Sequence, residues 1–176
     1  MIFALLLAAV AITGCGDAHS HSHKADEHEV KLQLTAYGND FEVYAEATPF
    51  VVGEKSDILA HFTLLNNFKP LTGGSVTASL IVGGKKVIET VNTPAHPGIY
   101  KFDITPETAG RGQIVFDIQS DSVKSQVIVK DVNVYTKRED AQHTAADAVV
   151  ESSNAVVFTK EMSWKVDFST EPCRKE

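Results

Sequence analysis

Four histidines fall within ten residues near the start of the chain: His19, His21, His23 and His28, set among Asp17, Asp26, Glu27 and Glu29. The alternation His-Ser-His-Ser-His places imidazoles on one side of an extended segment, where two or three can meet one borderline cation. Neighbouring carboxylates raise the local cation concentration and complete the coordination shell. The donor set suits Zn²⁺, Cu²⁺, Co²⁺ or Ni²⁺. The methionines are Met1 and Met162 alone, so a methionine-rich Cu(I) site is not on offer. Residues 16–29 carry no large apolar side chain and are expected to form a flexible tether. Ordering such a tract on binding costs free energy, so the expectation is a transient ion and no tightly bound cofactor. The plainer alternative is a hydrophilic spacer whose histidines are incidental.

Just before the tract, Ile2 to Ile12 is an unbroken apolar run, too short to span a bilayer but of the length of a signal-peptide core. It ends in Ile12-Thr13-Gly14-Cys15, which resembles the bacterial lipobox, an aliphatic residue and two small ones before a cysteine that becomes lipidated. No Lys or Arg precedes the run. Cys15 is therefore the expected lipidation site, residues 1–14 the signal peptide, and the mature protein a membrane-anchored lipoprotein facing the periplasm.

The other titratable groups offer less. His61 falls at an outward position of an alternating segment, His96 in a Pro-Gly turn and His143 in a polar stretch, and all three are expected at the surface. No serine or cysteine sits in a nucleophile motif and no phosphate loop is present, so a non-enzymatic role is expected. The formal net charge of −7 gives no basic footprint for nucleic acid and mildly favours cations. Two cysteines near opposite ends of the 176 residues, Cys15 and Cys173, do not make a disulfide framework.

Between residues 30 and 136 the apolar residues alternate with period two, as in half-buried strands. The stretch Asp57 to Val82 sets the pattern: Ile58, Ala60, Phe62 and Leu64, then turn formers from Asn66 to Gly74, then Val76, Ala78, Leu80 and Val82. About eight short segments of this kind occur, at Val30–Ala36, Phe41–Ala47, Asp57–Leu64, Val76–Val82, Lys85–Val91, Ile99–Ile104, Gln113–Ile118 and Val123–Tyr135. No amphipathic helix interrupts them. The expectation is an all-β, immunoglobulin-like β-sandwich of about seven or eight strands, without the Cys and Trp marks of antibody domains. Its core is expected to include Leu32, Leu34, Val43, Ile58, Phe62, Leu64, Val76, Leu80, Tyr100, Phe102, Ile114, Phe116, Val127 and Val129. Residues 137–153 read as a linker with a weak helical turn around Ala141 to Val149.

The last segment, residues 154–176, regains apolar content: Val156, Phe158, Trp164, Val166 and Phe168 have no strand partners of their own. Such a set either packs back on the sandwich or docks on a partner or further domain, with Phe158, Trp164 and Phe168 as the docking residues. The run Phe158-Thr-Lys-Glu-Met-Ser-Trp164-Lys-Val-Asp-Phe168-Ser-Thr-Glu171 resembles the F-x-K-E-Q-x-W-K-x-D-F-x-T-E stretch of periplasmic adaptor subunits (membrane fusion proteins) of heavy-metal efflux pumps of the resistance–nodulation–division class, with Met162 where the pattern has Gln. A lipobox, a His-rich tract and a sandwich in that order resemble the N-terminal part of copper/silver and cobalt/zinc/cadmium adaptors. The resemblance implies an inner-membrane pump and an outer-membrane channel as partners. It also implies that residues 154–176 begin a truncated membrane-proximal domain, the chain being a fragment, a truncated product or a short relative. The leading expectation is the metal-collecting module of such an adaptor; the alternative is a free-standing metal-binding periplasmic lipoprotein, a buffer or chaperone, and a third is a structural sandwich with a polar spacer.

Overall fold

Period-two alternation makes strands only where each strand finds a neighbour, and the computed structural model supplies one for each. It describes residues 30–121, 123–148 and 158–167. Nine strands form two sheets. The first sheet has the order β1-β2-β4-β7: β1 (Leu32–Tyr37), β2 (Phe41–Ala47), β4 (Ser56–Leu64) and β7 (Ile99–Ile104). The second has the order β3-β9-β8-β5-β6: β3 (Phe50–Val51), β9 (Lys124–Tyr135), β8 (Gly110–Gln119), β5 (Ser75–Val82) and β6 (Lys85–Val91). All pairings are antiparallel except β3 with β9. The chain changes sheets between β2 and β3 at Pro49, whose missing N–H suits the end of a ladder. The result is the expected immunoglobulin-like sandwich.

The stretch Asp57 to Val82 folds differently from a simple paired unit. Its two strands, β4 and β5, lie in opposite sheets. The turn-rich connection from Asn66 to Gly74 is therefore a crossover between layers. Its backbone is tied to the end of β4: Leu71 N–H donates to the Phe62 carbonyl at 3.0 Å, and Gly98 N–H to the Leu71 carbonyl at 2.7 Å.

The inner faces meet in an aromatic centre. Phe62 packs edge-on against Tyr100 and Phe116, each at a centroid distance of 5.4 Å. The hydroxyl of Tyr100 donates to the Gly74 carbonyl at 3.0 Å, which satisfies its one polar atom. Of the expected core, Leu32, Leu34 and Leu64 are only half-buried. The first two lie on β1, an edge strand with one neighbour. Phe41 and Phe50, outside the expected set, are fully buried.

Residues 138–148 are more than a linker. They form α1 (Arg138–Ala148), whose Ala141 and Ala145 are buried while its other described side chains are exposed. Two small residues four apart let the helix lie close on β3 and the end of β9. Among the described residues no helix is long and apolar enough to cross a membrane.

Candidate functional site

The outer face of the first sheet carries its polar residues in register. Glu42, Tyr44 and Glu46 of β2 alternate with buried Val43 and Ala45. Pairing with β4 sets Tyr44 beside His61 and Glu42 beside Thr63. Such a face would normally be solvated. Here His61 is 4% and Thr63 3% exposed, because residues 158–167 lie across them as a strap.

The strap contains one helical turn, α2 (Lys160–Ser163), with Thr159 as its N-cap. Successive side chains fasten it. Lys160 Nζ is paired with Glu42 Oε1, which also accepts from the Tyr37 hydroxyl at 3.3 Å. Glu161 Oε1 meets His61 Nε2 at 2.9 Å. Trp164 donates its indole N–H to Thr63 Oγ1 at 2.8 Å, and its ring lies 5.9 Å from that of His61. Asp167 accepts from Lys69 at 2.8 Å. Trp164 needs a floor with no side chain. At Gly98, whose φ is +81°, a Cβ would lie 2.6 Å from both the Trp164 ring and the Pro70 side chain.

The electrostatics follow from this packing. Burial, then the hydrogen bond and charge of Glu46 and the charge of Glu161, push the Tyr44 phenol up to about 12. Glu161 is held below the usual carboxylate range by its own backbone N–H, with further help from His61 and Thr159. The hydrogen bond from Lys69 lowers Asp167. Between strap and sheet runs a groove of about 500 Å³, lined by Gln33, Tyr44, Glu46, His61, Phe158, Thr159, Lys160, Glu161 and Ser163.

The expected site residues are distributed unevenly over this architecture. Trp164, one of three expected docking residues, is 8% exposed and packs on its own sandwich, the first of the two alternatives open for that segment. Phe158 is 61% exposed at the mouth of the groove. Phe168 lies outside the described residues, as do Cys15, His19, His21, His23 and His28. His61 was expected at the surface; its outward position is right, but the strap buries it. His96 and His143 are exposed, His143 beside Asp147 at 3.1 Å on α1. Among the described residues no three His, Cys, Asp or Glu side chains are grouped to hold a metal ion. Glu42, Tyr44 and Glu46 are not among the expected site residues, and His61 is expected only as a surface residue. The available signal was the outward Glu-x-Tyr-x-Glu of β2, opposite an outward His and Thr on β4. Comparison with family models, with curated proteins and with solved structures returns no match for this chain.

Proposed function

We propose that this chain is the N-terminal, lipid-anchored module of a heavy-metal efflux adaptor, with residues 16–29 gathering divalent cations and the sandwich carrying the next part of the assembly. The observation that carries the reading is the strap. The residues that give Phe158–Glu171 its resemblance to adaptor sequences include Lys160, Glu161, Trp164 and Asp167, and each has its own partner on the sandwich, Glu42, His61, Thr63 and Lys69 respectively. A stretch pinned at four points over eight residues fixes the direction in which the chain continues. That is what a multidomain adaptor needs from the joint between two domains. The role is one of binding and placement, not catalysis.

The metal half of the reading rests on His19, His21, His23 and His28 with their carboxylates. A tether beside a membrane anchor confines its ligands to a small volume and so raises the local concentration of captured ions. Imidazoles bind metal only when deprotonated, so capture weakens as pH falls through the ordinary histidine range of about 6.5. Titration calorimetry of the chain with Zn²⁺ and Cu²⁺ tests this. Replacing His19, His21 and His23 together by Ala is expected to remove most of the binding and leave the unfolding midpoint unchanged. Undiminished binding would move the site to His61, His96 or His143, and no binding by the parent chain would end the metal reading.

A further inference from the structure

The groove beneath the strap has a polarity of its own. Tyr44 donates its hydroxyl proton to Glu46 Oε1 at 3.0 Å, so the phenol oxygen keeps lone pairs for an incoming donor. A carboxylate oxygen only accepts, so at 2.9 Å from Glu161 it is Nε2 of His61 that carries the proton. In the neutral ring Nδ1 then holds a lone pair. That atom is buried and has no partner, on a side chain only 5% exposed that forms part of the groove wall. The one lysine of the lining, Lys160, is already held by Glu42. The groove thus presents acceptors and negative charge, between the rings of Tyr44 and the exposed Phe158.

We propose that this groove binds a cationic nitrogen head group, a guanidinium or a primary ammonium. Glu46 is its counter-charge, and Tyr44 and Phe158 are its ring walls. Aromatic faces attract such cations through their quadrupoles, and a carboxylate beside them adds charge-assisted hydrogen bonds. A hydrated divalent ion fits less well, since no second histidine or third grouped carboxylate stands by among the described residues. The inference is separate from the metal-collecting reading, which rests on residues 16–29, so either can fail alone.

The head group has two sources, a free amine or the side chain of a partner's arginine. The test is a titration of the full ¹⁵N-labelled chain, followed by NMR, with agmatine and in parallel with the peptide acetyl-Gly-Arg-Gly-amide. Saturable shifts are expected at the amides around Tyr44 and Glu46. Tighter binding of the peptide identifies a protein partner, and tighter binding of agmatine a free amine. Glu46→Gln is expected to weaken the better probe about tenfold or more, and Glu139→Gln on α1 to leave it unchanged. Phe158→Ala, at an exposed position where folding is not at stake, is expected to weaken it about two- to fivefold. Three results would overturn the proposal: no saturation by either probe, equal effects of Glu46→Gln and Glu139→Gln, or displacement of the probe by Mg²⁺ at constant ionic strength.

Discussion

At the scale of single residues, Trp164 and Gly98 make one device. The indole needs a flat seat and the glycine provides it, with a positive φ that other residues adopt at a cost. Gly98→Ala adds a methyl group 2.6 Å from two side chains and strains the backbone. It is expected to destabilise the chain by about 1–3 kcal/mol and to lift Trp164 from its seat. Trp164 is the chain's single tryptophan, so its fluorescence reports directly. The parent should show blue-shifted emission resistant to iodide quenching, and Gly98→Ala a red-shifted, quenchable one. Quenching in the parent at the rate of free indole would contradict the packing described above.

At the scale of elements, the strap is held by polar pins as well as by one ring, so its attachment depends on pH. Glu161 and Asp167 are both lowered from their ordinary values, 4.5 and 3.8. A depressed carboxylate contributes stability that is fully present above its ordinary value and lost as pH falls through the lowered one. Between about pH 4.5 and the acid side of those lowered values the pins to His61 and Lys69 therefore weaken. The sandwich core depends on none of them. A pH titration should show the Trp164 emission shifting to the red before the β-sheet circular dichroism is lost, and coincident transitions would make strap and sandwich one cooperative unit. α1 is held differently, by the small buried faces of Ala141 and Ala145. Ala145→Asp should detach it without disturbing Trp164, which a melt followed by both signals would show.

At the scale of the whole molecule, stability resides in the two-layer core, and in the proposed reading a lipid on Cys15 sets location. Phe62 is fully buried and touches aromatic rings from both sheets. Phe62→Ala is expected to cost about 3–5 kcal/mol in denaturant unfolding, and a loss below about 1 kcal/mol would deny it a central place. Cys15→Ala, in turn, is expected to move the protein from the detergent phase to the aqueous phase without changing that unfolding curve. Detergent partitioning that survives the substitution would rule out lipid attachment at Cys15.

The amino-acid sequence by itself determined eight of the nine strands, all but the two-residue β3, and which side of each turns inward, because period two follows from backbone geometry within a few residues. Val43, Ala45 and Phe62 against Tyr44 and His61 could be sorted that way. The sequence also marked residues 154–176 as a distinct apolar segment. It did not determine which strands become neighbours. β4 and β5, separated by only a turn-rich loop, join opposite sheets, because the aromatic centre closes only when Phe62 faces Phe116 across two layers. Nor did it determine what covers an outward face. His61 reads as a surface position and Thr63 shares its face of β4, yet a segment about 100 residues later in the chain buries both. Alternation is local and tells in from out; cover comes from contacts distant in sequence, which only the tertiary structure decides.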